Sequence, residues 1–168
     1  VNTQDGQTTT KPPFLTFDNT NWDVKKTVTV YAVDDDIAEG LHNGKISHSV
    51  SSDDTNYQPD MFAIKGVDVS IQDNDAPGVT INPTAVEVSE DGNTATYEVN
   101  LNSEPTAEVK VEITSNDGQT TTKPPFLTFD STNWNVKKTV TVYAEDDDIA
   151  EALHSGTIEH AVSSTDTN

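Results

Sequence analysis

The chain has 168 residues, enough for one average domain or one and a half small ones. Nine basic residues stand against twenty-nine acidic ones, a formal net charge of −20, which argues against nucleic acid as a partner and disfavours anionic membrane surfaces. No run approaches the roughly 18 apolar residues of a membrane span, and the lack of cysteine excludes disulfides and thiolate metal sites.

Only 32% of the residues are apolar, and low apolar content with high charge is also the composition of disordered chains. Here the apolar residues fall in short alternating runs rich in Val and Ile, a pattern that can bury a core despite the low total. The surplus of acid suits a cationic partner, either a metal ion or a basic surface. It serves solubility equally well, so composition leaves both open.

A long internal repeat organises the sequence. DGQTTTKPPFLTFDNTNWDVKKTVTVYAVDDDIAEGLH, starting at Asp5, returns as DGQTTTKPPFLTFDSTNWNVKKTVTVYAEDDDIAEALH from Asp117, an offset of 112 residues. Residues 1–56 pair with 113–168 without a gap. A period this long makes each repeat a whole domain of a tandem array, not a solenoid turn. The boundary falls at Asp75-Ala76-Pro77-Gly78, where a strand pattern gives way to a Pro-Gly turn signal. The expected organisation is therefore 1–75 as the C-terminal part of one repeat, 76–78 as linker, and 79–168 as the next repeat lacking its last strand. Either the array continues beyond both ends, or another chain completes each half. No signal peptide is visible, because residue 1 lies inside a repeat.

Period-two alternation predicts the strands. The Thr tracts at 8–10 and 120–122 read as loop or edge strand. In the first repeat, Ile46, His48 and Val50 mark one strand, and Val67, Val69 and Ile71 mark the closing one. After the linker a strand is expected over 79–88, kinked near Pro83. Next comes one with Ala95, Tyr97, Val99 and Leu101 facing one way, then one with Val109, Val111 and Ile113 inward. A short strand contains Phe126, Leu127 and Phe129, followed by the turn DSTNW. Val140, Val142 and Ala144 mark the fifth strand; Ile158, His160 and Val162 mark the sixth. No segment has helical periodicity. Seven short strands divided by turn signals predict an all-β fold, an antiparallel seven-stranded immunoglobulin-like sandwich in tandem repeats of 112 residues.

In such a fold the first, third, fifth and seventh strands run the same way, so their C-terminal ends share a pole. The segments found there are Val88-Ser89-Glu90-Asp91-Gly92, Ser115-Asn116-Asp117-Gly118, Asp146-Asp147-Asp148-Ile149-Ala150-Glu151 and Asp73-Asn74-Asp75; the first repeat contributes Asp5 and Asp34-Asp35-Asp36-Ile37-Ala38-Glu39. The opposite pole is far less acidic. Two carboxylates about 4 Å apart repel by around 1 kcal/mol even in water. Six or more at one pole must loosen, take up protons or bind a cation. Calcium fits best, since it accepts six to eight oxygens at flexible geometry, whereas magnesium wants a tighter octahedron. Taken singly, each cluster reads as solvated turn residues; their convergence is what points to metal.

Together these residues resemble the Calx-beta domain: Val88-Ser89-Glu90-Asp91-Gly92, an Asp-Gly loop, Asp146-Asp147-Asp148-Ile149-x-Glu151 and the closing Ile71-x-Asp73-Asn74-Asp75. The resemblance covers essentially the whole chain. Its specific part is DDDI-x-E combined with the final acidic cluster, either of which alone is weak. The family includes regulatory domains of sodium–calcium exchangers and many repeats of bacterial surface proteins; the Thr-rich loop and the Phe-Leu-Thr-Phe…Asn-Trp segment look more like the latter. The resemblance implies Ca2+ held at the distal pole. The implied ligands are Glu90, Asp117, Asp146, Asp147, Asp148 and Glu151 in the second repeat, and Asp5, Asp34, Asp35, Asp36, Glu39, Asp73 and Asp75 in the first. The chain departs from the exchanger pattern after DDDI-x-E, where Gly40 or Ala152 and then Leu stand in place of further acids, which points to fewer ions or weaker binding. Asn74 is likewise a neutral ligand at best.

Other residues read more blandly. His48 and His160 fall on an inward face and fit hydrogen-bonded near-core positions better than ligation. Trp22 and Trp134 are expected to plug the sandwich edge, with carbohydrate stacking as the other role open to them. Lys25-Lys26 and Lys137-Lys138 are too small for an anion-binding patch. No Gly-x-Ser-x-Gly elbow or similar arrangement sets a nucleophile beside a base, so no enzyme activity is expected.

The expected function is a calcium-binding structural repeat of a secreted or cell-surface adhesin or fibre, with calcium rigidifying the domain junctions across the short linker. Its partners are calcium ions, neighbouring repeats of the same array and, in one reading, other copies of the chain, without nucleic acid or membrane insertion. Extracellular modules bind calcium at about 10⁻⁴–10⁻³ M, which places the chain outside the cell. The rival readings are a calcium sensor regulating an attached domain, an adhesion module binding a ligand through its loops, and a self-assembling fibre subunit completed by strands of a neighbouring chain.

Overall fold

A computed structural model describes residues 1–3, 6–149, 152 and 154–167. Among them the chain forms β1 (Asn2–Thr3), β2 (Thr8–Lys11), β3 (Thr29–Ala32), β4 (His42–Ser47), β5 (Val67–Ile71), β6 (Val79–Asn82), β7 (Ala95–Leu101), β8 (Val109–Ser115), β9 (Thr120–Lys123), β10 (Phe126–Phe129), β11 (Lys138–Ala144) and β12 (Ile158–Ser164), with a single 3-10 turn at Thr55–Tyr57.

The fold is all-β, but the expected seven-stranded immunoglobulin-like sandwich repeated every 112 residues is not what forms. The twelve strands make four separate open sheets, in the orders β1-β4-β5, β10-β8-β12, β6-β7-β11-β9 and β2-β3. The physical reason lies in non-local pairing. Alternation locates a strand, whereas a ladder also needs a partner strand; the two copies share the β2–β3 and β9–β11 register, but only the second also pairs with β7 and the full length of β8.

The chain divides into two compact units, Val1–Asp35 with Gly40–Asp73, and Asp36–Glu39 with Asn74–Asn168. In the second, β7 is the hub of the four-stranded sheet, pairing antiparallel with β6 and with β11. β8 is the hub of the three-stranded sheet, pairing with β10 and β12. Both sheets turn one face to a single core of Tyr97, Val99, Leu101, Val109, Val111, Ile113, Leu127, Phe129, Val140 and Val142. Tyr97, Val99 and Leu101 of β7 and Val109, Val111 and Ile113 of β8 are buried in it at every second position, as the sequence alternation requires. Each fully buried Val, Leu or Phe contributes about 1.5–3 kcal/mol. β6 stops at Asn82, ahead of Pro83, whose missing N–H cannot extend a ladder. The Thr tract 120–123 forms the edge strand β9.

The first unit carries nearly the same sequence as 113–168 but only two small sheets, β1-β4-β5 and β2-β3. Local structure is reproduced between the copies. Val33 N–H donates to Gln7 O at 2.9 Å and Glu145 N–H to Gln119 O at 2.9 Å, while Asn21 N–H reaches Asp18 O at 3.2 Å and Asn133 N–H reaches Asp130 O at 3.1 Å. Lys26 and Lys138 each donate to the carbonyl of a threonine ten residues back, Thr16 and Thr128, and lie over Phe17 and Phe129 at 4.6 and 4.4 Å. Burial is not reproduced. Phe129 is 0% exposed and its repeat counterpart Phe17 54%; Val142 is 1% exposed and Val30 37%. Residues 14–17 form no strand, although the same PFLTF sequence gives β10. β1 corresponds to the last two residues of β8, with Thr3 opposite Ile46 as Ser115 is opposite Ile158, and no strand equivalent to β7 stands among the described residues of the first unit.

Candidate functional site

In the second unit the strand register carries three acidic segments to one end. Thr120 pairs with Ala144, and Glu145 N–H continues the ladder to Gln119 O. Asp117 and the Asp146–Asp148 triplet therefore flank the same ladder end. Val142 pairs with Ala95, so the Glu90-Asp91-Gly92 turn that precedes β7 lies toward that end too. This turn is closed by a Ser89–Asn93 bridge and by Gly92 N–H donating to Ser89 O at 3.1 Å. Gly92 and Gly118 sit at φ 91° and 73°, a left-handed conformation that favours glycine. Ser115 pairs with Ile158, which brings the start of β12 alongside.

Asp117 is the most engaged of these acids. Its Oδ1 accepts from Gln119 N–H at 2.9 Å, Thr120 N–H at 2.9 Å and the Ser115 hydroxyl at 3.0 Å, and its Oδ2 accepts from Thr157 N–H at 3.0 Å. Desolvation pushes its pKa up, but the donors from Gln119, Ser115 and Thr120 together outweigh it and hold the carboxyl below the ordinary aspartate value. A Cβ on Gly156 would stand 1.9 Å from Asp117 Oδ2, so only glycine lets the segment before β12 approach. Asp117 thus ties the loop after β8 to the chain entering β12. Asp146, Asp147 and Asp148 are exposed, as are Glu90 and Asp91; Asp147 Oδ1 accepts from Ile149 N–H at 2.7 Å in a tight local turn. Glu151 lies outside the described residues.

In the first unit Thr8 pairs with Ala32, so Asp34 and Asp35 follow the end of β3. His42 pairs with Ile71, and just beyond it Asp73 Oδ2 accepts from Gly40 N–H at 3.0 Å. Asp73 is therefore bonded to Gly40, the residue that follows the DDDIAE segment. Gly40, at φ 66°, again uses the left-handed region. Asp5 lies outside the described residues. Asp36 and Glu39 group with the second unit, where the Asp36 carbonyl accepts from Glu104 N–H at 2.7 Å and Ala38 is buried. Asp75, also of that unit, is half-buried.

Every donor in these segments is a hard oxygen, the ligand class of calcium and magnesium. Among the described residues, no group of three or more His, Cys, Asp or Glu side chains is gathered closely enough to hold a metal ion. The exposed acids Asp146–Asp148, Glu90 and Asp91 keep their carboxylates on the surface of the second unit, whereas those of Asp117 are turned to protein donors. Sequence reasoning missed Ser115, Thr120, Gly156 and Thr157 as the set that fixes Asp117. The Ser-x-Asp-x-x-Thr spacing over 115–120 was the readable signal for half of it.

His160, expected near the core, meets Tyr97 across the second unit at 2.9 Å. His48, its repeat counterpart, instead faces the Lys65 carbonyl through Nδ1 at 3.1 Å. Trp134 packs against the core while Trp22 is 71% exposed. Lys137 pairs with Glu98 at 2.9 Å and Lys138 is held by Asn133 Oδ1 at 3.0 Å. No helix among the described residues is long and apolar enough to cross a membrane. Compared with protein-family models, curated proteins and solved structures, the chain finds no match in any of the three.

Proposed function

We propose that the chain is a calcium-binding structural repeat of a secreted or cell-surface protein, related in kind to the Calx-beta repeats that its acidic motifs resemble. One observation carries this reading. The register of β7, β8, β9 and β11 sends Glu90-Asp91, Asp117 and Asp146–Asp148 toward one end of the second unit, although they are spread over some sixty positions of sequence.

The exposed acids Asp146, Asp147, Asp148 and Glu90 are the residues that would hold the ion, with Glu151 completing the motif. In the first unit the acids that would serve the same role are Asp34, Asp35 and Asp73. Bound calcium would supply the positive charge that lets these carboxylates approach. Asp117 serves this reading by holding the loop that borders the triplet; its oxygens are already turned to protein donors. In the sequence, Asp73-Asn74-Asp75 runs straight into the linker 76–78. Neutralising that acid removes repulsion where one repeat passes to the next, which stiffens the array. The weak affinity typical of extracellular modules places such a repeat outside the cell.

The test is thermal unfolding during calcium and magnesium titrations. An ion at a hundredfold excess over its Kd adds about 2.7 kcal/mol to the state that binds it. Calcium at millimolar concentration is expected to raise the melting temperature, and magnesium to raise it much less. Equal responses to the two ions, or none, would reject calcium as the ligand.

A further inference from the structure

In the second unit one carboxylate reaches both ends of the segment that carries the acidic triplet. On the entry side, Asp117 Oδ1 accepts from Gln119 N–H at 2.9 Å, and the Gln119 carbonyl in turn accepts from Glu145 N–H at 2.9 Å. Asp146 follows directly. On the exit side, Asp117 Oδ2 accepts from Thr157 N–H at 3.0 Å, one residue before β12. Gly156 makes that approach possible, since a Cβ there would fall 1.9 Å from the same oxygen.

The carboxylate has no acceptor capacity left over. It offers about four lone-pair sites. Gln119 N–H, Thr120 N–H and the Ser115 hydroxyl share Oδ1, Thr157 N–H takes Oδ2, and the Thr120 hydroxyl stands 3.2 Å from both oxygens. A cation could reach Asp117 only by displacing one of these donors. The residue types recur in the first repeat as Thr3, Asp5, Gln7, Thr8 and Gly44; Lys45 stands at the position of Thr157, whose contribution is a backbone N–H that any residue but proline supplies. We infer that Asp117 is a positioning residue, a clamp on both ends of segment 146–156, which sets the triplet in place without ligating the ion. The ion-directed half of this inference rests on the calcium reading; the clamp itself does not.

The experiment follows amide hydrogen exchange and a calcium titration in the whole chain, with Asp117→Asn and Gly156→Ala as separate variants. Without calcium, the Glu145 and Thr157 amides of Asp117→Asn should both exchange roughly five- to tenfold faster, the loss of about one hydrogen bond at each end. Unchanged exchange at both would overturn the clamp. Gly156→Ala leaves every acid in place but drives Thr157 away from Oδ2, so it frees that oxygen while loosening the clamp. In the titration both variants should move the calcium midpoint upward by roughly tenfold, as losing a group that orients metal ligands does. For Gly156→Ala a midpoint lower than the parent's would make Asp117 a ligand, and an equal one would remove its positioning role; either overturns the assignment. A parent chain that ignores calcium would overturn the ion-directed half alone, and the exchange rates would still decide the clamp.

Discussion

The Tyr97 hydroxyl and His160 Nε2 are 2.9 Å apart, their rings edge to face with centroids 5.5 Å apart at 82°. This bond joins β7 of the four-stranded sheet to β12 of the three-stranded one, so it links the two layers of the second unit. Burial holds His160 below the ordinary histidine value and pushes Tyr97 up to about 12. Both groups are therefore neutral in the fold near neutral pH, and each makes stability depend on pH in a known direction. For His160 the unfolded chain takes up its proton at about 6.5. Its contribution is full above that pH and is lost as pH falls from there toward its depressed folded value. For Tyr97 the contribution is full below about 10 and is lost as pH rises toward its raised folded value. Denaturant unfolding of His160→Phe against the parent chain should show a shallower loss of stability below about pH 6.5. An unchanged acid limb would mean that His160 is not the group responsible.

Asp117 and Gly156 act as one unit, since the carboxylate occupies the space a Cβ would need. Asp117→Ala removes the acceptor for Gln119, Thr120 and Thr157 N–H and should cost about 2 kcal/mol. Gly156→Ala forces the β12 entry away from Oδ2 and should cost about 1–3 kcal/mol. In the double variant the clash is gone, so the two losses should not add, with a coupling of about 1 kcal/mol or more. Simple additivity in chemical denaturation would show that the segments are not in contact in solution.

Identical residues at repeat positions give a direct measure of context. Phe129→Ala opens a cavity in the core of the second unit and should cost about 3–5 kcal/mol. Phe17→Ala removes an exposed ring and should change stability by less than about 0.5 kcal/mol. If the two substitutions cost the same, the first unit must bury Phe17 after all.

These contrasts also mark what was legible in the sequence. Alternation found β7 and β8 and their buried faces, because burial of alternate side chains leaves its period in the residues themselves. It could not tell that PFLTF makes a ladder at 126–129 and none at 14–17, since the same five residues stand in both copies and only the second has the full β8 to pair with. The acid segments were readable from composition and spacing, and the register places three of them at one end of the second unit. The engagement of Asp117 by Thr157, forty residues away, was not readable, because nothing local announces which loop will close over it. Asp73 meeting Gly40 is of the same kind, a contact between segments 33 residues apart.

The acidic triplet gives the sharpest test of the calcium reading, because charge removal should have opposite signs with and without the ion. Asp146, Asp147 and Asp148 are consecutive and exposed, so in calcium-free solution their mutual repulsion opposes the fold at low salt and is screened as salt rises. Asp146→Asn with Asp148→Asn should then raise the melting temperature without calcium at low ionic strength. In the proposed site the same substitutions would remove two hard anionic ligands, so the calcium-dependent rise should shrink or vanish. Plotted against calcium concentration, the melting curves of parent and variant should cross. A crossing separates ligation from bulk charge, since screening alone moves both curves together and magnesium or sodium would reproduce it. Parallel curves, or a crossing produced equally by magnesium, would assign the triplet to solubility and not to calcium.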